Sequence, residues 1–533
     1  MKKRTTTFWL LVLAAAWVYD QLFWQKTPGI SVTLYTALLI GLGFWFLRSE
    51  GGTPHRRALW ILPIIALLAL FSALRLEPLT WFVTLMLLSV FLMLLALTLR
   101  GGRWLEYSLT DLVLNGLSLA FSALGLGALD LAANPAPSEG TAETPPAARP
   151  KAPIVWAVVR GLLLAVPVLL VFGTLLASAD PMFAQRLENW FNFFDIDKLG
   201  EYIGRGIWIF ILAYLLTGVY LHSLFKSAQE RLTGIEKPWL PPFLGFIETT
   251  VVLGSLNLLF ALFVIVQFQY FFGGQSNIHI EGYTYAEYAR RGFGELVLVA
   301  FLSLLLYFGL STITRRVETQ RHTFAILGTF MAALVGVMLV SAFQRLLLYE
   351  QTYGFTRWRT YPHVFMIWLG ILLAALVVLE WLGRTRAFGL TLLACSLGFG
   401  LTLNFMNVDG WITRQNILLA QSGSPLDVDY LLILSADSTP TVIRAYQNPS
   451  LPQDLRDQLG AVLVCQQARF TETAQQQHWQ SYNFSLAHAV RLLNDQTSNL
   501  SGYTLTGRSG AYSVEWQNKT QDCKGNWYLE EDF

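Results

Sequence analysis

Long apolar runs alternate with short charged loops along most of this chain, and each run is long enough to cross a bilayer as a helix, for which roughly 20 residues suffice. Spans are predicted near 8–24, 30–48, 57–75, 79–99, 153–177, 201–224, 243–272, 293–313, 323–344, 360–382 and 387–406, eleven in all. A further stretch, 108–131, is also long enough. Its Asp111, Asn115, Ser118 and Ser122 recur at helical spacing as one polar stripe, which suits a helix in the interface plane better than one in hydrocarbon. Past residue 406 the apolar runs stop. Helical spacing continues through "LDVDYLLILSADSTPTVIRAYQ", "LPQDLRDQLGAVLVCQQARF" and "WQSYNFSLAHAVRLLND", and the tail "GAYSVEWQNKTQDCKGNWYLEEDF" reads as strands with turn signals.

Loop charge sets the orientation. With eleven spans and the N-terminus inside, the inner loops carry about twice as many Lys and Arg as the outer ones, as the positive-inside rule requires. A twelfth span at 108–131 would invert everything after it and set the two halves of the chain against each other. The expected fold is an all-α polytopic membrane protein of about 11 transmembrane helices, N-in and C-out, with in-plane amphipathic helices and a small, mostly helical extracytoplasmic domain. Its parts are a four-span unit (1–105), an interfacial helix (106–131), a Pro/Ala-rich cytoplasmic linker (132–152), a seven-span unit (153–406) and the outer domain (407–533). Lys2, Lys3 and Arg4 before an apolar run imitate a signal peptide. Without a polar region and a small-residue cleavage site, this segment is expected to remain as the first span.

Composition narrows the function classes. The chain is 54% hydrophobic and only 14% charged, unlike a soluble enzyme, and its net charge of +2 offers no field for nucleic acid. Walker, HExxH and GxSxG patterns are missing, and seven dispersed histidines show no metal-ligand spacing, so neither cofactor nor metal is expected. Cys465 and Cys523 would share the outer, oxidising side, where either a disulfide or two unrelated thiols fits the sequence.

Four polar segments fall on that outer side. In "GYTYAEYARRGFGEL", Thr284 and Glu287 form a capping box, and Tyr283, Tyr285 and Tyr288 suit an aromatic belt. Glu287, Arg291 and Glu295 then make one charged row, readable as a structural ion pair or as part of a site. In 177–199, Asp180 before Pro181 marks the start of a helix with an aromatic face, a lid or rim on the outer surface. "QRLLLYEQTYGFTRWRTYPHVF" gathers Glu350, Arg357 and Arg359, either headgroup anchors or a grip on phosphate or carboxylate, with Pro362 marking a helix start. "NFMNVDGWITRQN" brings Asn407, Asp409 and Arg414, followed by Asp427, Asp429 and Asp437; turns and caps would use Asn407 and Asp409 without any function. Asp20 at the end of the first span completes the candidate outer-face site.

The segments "GLLLAVPVLLVFGTLLASADPMFA", "GYTYAEYARRGFGELVLVAFLSLLLYFGL", "RLLLYEQTYGFTRWRTYPHVFMIWLG" and "VDGWITRQN" with "LDVDYLLILSADSTP" together resemble the bacterial integral-membrane family catalogued as domain of unknown function 4173, over roughly 153–490. The resemblance implies a multi-pass bacterial membrane protein and carries no activity or catalytic residue with it. The expected role is binding, regulatory or assembly work in the envelope, at the cytoplasmic (inner) membrane, with the lipid bilayer and an envelope protein or lipid-linked ligand as partners. The alternatives are an envelope enzyme using Asp20 and Asp180 on a lipid-linked or surface substrate, and a secondary transporter, for which Asn257 is the main polar residue at mid-depth.

Overall fold

The computed structural model describes residues 6–132, 196–228, 232, 242–272, 293–315, 317–508 and 511–524. Twelve helices carry the described part of the chain as far as residue 406: α1 (Thr6–Phe23), α2 (Ile30–Ser49), α3 (Arg56–Leu59), α4 (Ile61–Leu74), α5 (Pro78–Thr98), α6 (Leu109–Ala132), α7 (Ile196–Leu221), α8 (Phe246–Phe272), α9 (Phe293–Ile313), α10 (Glu318–Tyr353), α11 (Arg357–Trp381) and α12 (Phe388–Met406). Among the described residues ten helices are long and apolar enough to cross a membrane, α3 and α4 counting as one. They fall on ten of the eleven expected spans. The remaining one, 153–177, the linker beyond residue 132 and most of the helix expected at 177–199 lie outside the described residues. The protein is an all-α polytopic membrane protein with a small sheet near its C-terminus.

Two compact units divide the chain: residues 1–20 with 123–218, and residues 21–122 with 219–533. In the first, Arg205 of α7 grips Asp20 of α1 through Nε at 3.1 Å, with a second contact from Nη2, and the carboxylate is 1% exposed. In the second, the spans pack through a core that runs from Leu253 and Val335 to Leu369 and Leu376.

At one end of this unit the start of α2, the α4–α5 link, the α10–α11 link and the end of α12 all meet residues beyond 407. Gly29 lets α2 in: a Cβ there would stand 2.5 Å from the Ser481 carbonyl oxygen, and Ile30 N donates to Tyr482 O at 2.9 Å. At the opposite end, Arg100 donates to Leu224 O at 2.7 Å and His55 N to Leu99 O at 2.9 Å. Helix α6 meets that opposite end. Its first residue touches Gly389 at the start of α12, Gly116 faces Met93 near the end of α5, and Ser122 meets His222 and Lys226 at 2.8 and 3.0 Å. The polar stripe of α6 is turned inward rather than to water, because Asp111 caps the start of its own helix through Ser108 and Ser122 is taken up by His222; Val113, Leu117 and Phe121 are the exposed side.

Helix boundaries depart from expectation at α10 and α11. Helix α10 runs on to Tyr353, well past the predicted 344. Helix α11 begins at Arg357, so Pro362 sits in its second turn and forfeits only one backbone bond, that to the Trp358 carbonyl.

Residues 408–524 form α13 (Val408–Gln421), α14 (Val428–Ile433), α15 (Thr439–Tyr446), α16 (Gln453–Gln476), α17 (Phe484–Asp495) and an antiparallel sheet of β1 (Thr504–Arg508), β2 (Ala511–Trp516) and β3 (Lys519–Asp522) in that order. Side-chain caps start three of these helices: Asn407 accepts from Gly410 N, Asp427 from Tyr430 N, and Asn483 from Ser485 N and Leu486 N. Helix α16 is the buried centre, with Leu459, Ala461, Val462 and Leu463 fully enclosed, and β2 lays Val514 and Trp516 into the same core. A disulfide joins Cys465 of α16 to Cys523 just past β3, Cα–Cα 5.2 Å, and so ties the sheet to the helix core.

Candidate functional site

The end of the bundle that meets the C-terminal domain is held by three buried carboxylates. The first is built from the α10–α11 link. Gly354 takes φ +82°, a conformation glycine adopts without penalty, and even the space is taken, since a Cβ would stand 3.2 Å from Asn416 Oδ1. Asn416 of α13 then brackets Phe355, accepting from its N–H at 2.7 Å and donating to its carbonyl at 2.9 Å. This fixes Arg357 as the first residue of α11.

Asn407, left-handed at φ 52°, ends α12 and caps α13, and the sharp turn places Asp409 opposite that arginine. Arg357 donates to both oxygens of Asp409, at 2.8 and 2.7 Å, and Ser435 N adds a third bond at 2.8 Å. The carboxylate is fully buried. Burial alone would raise its pKa. The Arg357 charge and the hydrogen bonds from Arg357 and Ser435 outweigh that and hold it below the usual carboxylate range. Nearby, Arg469 donates to the carbonyls of Leu432 and Leu434, the latter at 2.7 Å, and burial, with Arg357 adding repulsion, pushes its guanidinium down to about 10.

Asp437 is the second carboxylate. It accepts from Leu76 N at 2.9 Å, Ser485 Oγ at 2.6 Å, Ser435 Oγ at 3.2 Å and Arg75 Nη1 at 3.4 Å, while Arg75 Nε reaches Asn404 O at 2.8 Å. Glu77 is the third. It caps α5 through Leu79 N and Thr80 N at 2.9 and 2.7 Å, and the Tyr361 hydroxyl donates to it. Asp409 and Asp437 take donors from other elements and, with Arg75, bind the first turn of α11 and the ends of α4 and α12 to the domain, while Glu77 ties the start of α5 to α11. Groups so fully engaged fasten.

The other predicted residues sit elsewhere. Glu350, fully buried, stands 3.3 Å from His363 Nδ1, an ion-pair distance without hydrogen-bond alignment. Arg359 closes the end of α10, donating to Tyr353 O and Gly354 O at 3.1 and 2.7 Å and lying 4.2 Å over the Tyr349 ring. Glu295 is exposed in the first turn of α9 and has no bond to this network among the described residues. Asp20 belongs to the other compact unit, paired with Arg205. Asp180, Tyr283, Glu287 and Arg291 lie outside the described residues. Of the expected outer-face cluster, Arg357 and Asp409 form a sealed pair.

Two open clefts lie to either side of Asn407. One cleft, about 450 Å3, has Phe71 and Leu74 of α4 as its floor and Phe484, His488 and Arg491 of α17 along its wall, with Arg75 between. The other, about 400 Å3, runs from Met406 and Trp411 to Arg414 and Arg444. Of the predicted site residues, Asn407 lines both clefts and Arg414 the second. Arg75, Glu77, Tyr361, His488 and Arg491 were not singled out from sequence. The signal available for the first two was a pair of opposite charges in the very short loop "LRLEPLT", with Glu77 directly before Pro78.

Residues 61–445 match the family described as domain of unknown function DUF4153. The chain belongs to that family. The match covers most of the chain and includes Arg75, Glu77, Arg357, Asp409 and Asp437, and it stops before α16, α17 and the disulfide. The narrower resemblance to domain of unknown function 4173 is not part of this finding. Neither the curated proteins nor the solved structures give a match.

Proposed function

We propose that this DUF4153 protein is a multi-pass protein of the bacterial cytoplasmic membrane, N-in and C-out, whose C-terminal domain is a fixed binding platform on the outer face, with a regulatory or assembly role in the envelope. The bacterial setting is the one implied by the likeness to domain of unknown function 4173. The observation that carries the reading is the contrast between saturated and open polar groups. The three buried carboxylates at the junction are consumed in fastening, whereas basic side chains, Arg414, His488 and Arg491, line open clefts beside the span ends. Support for sidedness comes from charge and chemistry. Arg48, Arg56, Arg57, Arg100, Arg103, Arg384 and Arg386 belong to loops at the end away from the domain, matching the positive-inside rule, and a disulfide within the domain suits an oxidising compartment. Helix α6 then lies along the inner interface.

The test is thiol labelling in intact cells with a membrane-impermeant maleimide. Gln475→Cys, exposed on α16, is expected to label, and Thr53→Cys, exposed between α2 and α3, to label only after lysis. The reverse pattern overturns the orientation.

A further inference from the structure

The cleft between α4 and α17 has a two-part lining that specifies a class of ligand. Its floor is the last turn of a membrane span, Phe71 and Leu74, and it continues into Leu70 and Phe405, which are 44% and 68% exposed where lipid would surround the bundle. Its wall is one face of α17, where Phe484, His488 and Arg491 follow at i, i+4 and i+7. His488 and Arg491 are exposed and, among the described residues, hold no hydrogen bond or ion pair. Asp437, the acidic group in the lining, is 1% exposed and already takes four donors, so it presents little charge to the opening. Arg75, 22% exposed, adds a third basic edge.

We propose that this cleft binds the phosphate headgroup of an anionic phospholipid, with Arg491, His488 and Arg75 on the phosphate and the first methylenes of one acyl chain against Phe71, Leu74 and Phe484. A soluble phosphate would use the cationic wall and leave the apolar floor wet. A neutral lipid would cover the floor and leave Arg491 unpaired. Only a molecule with both halves satisfies both, and the cleft's volume lies within the range of small-ligand pockets, about 300–1,000 Å3. The arginine fork suits phosphate through paired N–H donors, worth about 1.5–3 kcal/mol when charge-assisted, or roughly ten-fold or more in affinity.

The proposal rests on the platform reading for its biology but not for its test. Full-length protein in nanodiscs of phosphatidylcholine carrying a few per cent of photoactivatable phosphatidylglycerol exposes both leaflets, so cross-linking there does not depend on sidedness, which thiol labelling decides separately. Cross-links are expected on residues 71–75 and 482–491. Arg491→Ala and His488→Ala, both at exposed positions, should lower the yield about ten-fold each, whereas Arg508→Ala, an exposed arginine on β1, should leave it unchanged. Equal capture of a photoactivatable phosphatidylcholine, equal loss with Arg508→Ala, or full competition by inorganic phosphate at millimolar concentration would each overturn the proposal.

Discussion

The two ends of the membrane bundle use the same residue types to opposite effect. Away from the C-terminal domain, Glu106 pairs with Arg57 and Arg103 at 3.2 and 3.1 Å, and all three side chains are more than 40% exposed. At the domain end, Arg357 and Asp409 pair at 2.7 Å with exposures of 11% and 0%. Distance barely separates the two sets; burial does. An exposed pair gains little over hydrated ions, whereas a sealed pair that loses one member leaves a charge with neither water nor partner. One end is thus bordered by exposed charge, and the other is fastened by buried charge.

Breaking the sealed pair should have the largest effect. Arg357→Ala is expected to cost about 3–5 kcal/mol of stability, read as a lower thermal midpoint and faster proteolysis of the domain in detergent. Acid should imitate it. The Asp409 carboxyl titrates below its unfolded value near 3.9, so its contribution is complete above that value and lost as pH falls through the depressed one. Wild type should therefore keep its domain anchored at pH 5 and loosen only below about pH 4, a difference visible by limited proteolysis across that range.

Removing the disulfide comes next. Cys465→Ser with Cys523→Ser frees a loop of 58 residues and should cost about 2–4 kcal/mol. The loss should fall on the sheet and α16 while residues 354–357 stay protected from hydrogen exchange, which separates folding of the domain from its attachment. Asn416→Ala leaves both backbone groups of Phe355 unpaired and should cost about 1–3 kcal/mol, seen as faster amide exchange at Phe355 and Arg357. Glu106→Gln at the other end should change the thermal midpoint by an amount equivalent to less than about 1 kcal/mol, and less again in high salt. A larger loss there would erase the contrast.

The spans were legible because each is a local property of about 20 residues, and the ten described ones fall where apolar runs placed them. The strand-like tail was legible for the same reason, from alternation and turn residues. The end of α10 was less so, because polar residues after Ser341 read as a loop, whereas Arg359 closes the helix's last carbonyls from the following element. The site was legible only as residues. Arg357, Asp409, Asn407 and Asp437 were all visible as charged or turn-forming positions at span ends or beyond them, but Arg75 lies 362 positions from Asp437 and Tyr361 lies 284 from Glu77. Nothing in local spacing encodes such pairings. The same holds for α17, where the face formed by His488 and Arg491 acquires meaning only once Phe71 and Leu74 are set against it.

A double-mutant cycle on Arg357→Met and Asp409→Leu, with unfolding of the full-length protein followed in nanodiscs, tests most directly whether the domain is fastened through sealed charge. Each single substitution should be strongly destabilising and the double mutant far less so than their sum, with a coupling of about 2 kcal/mol or more. Additive losses would mean that the two residues act independently and that the junction is held by packing alone.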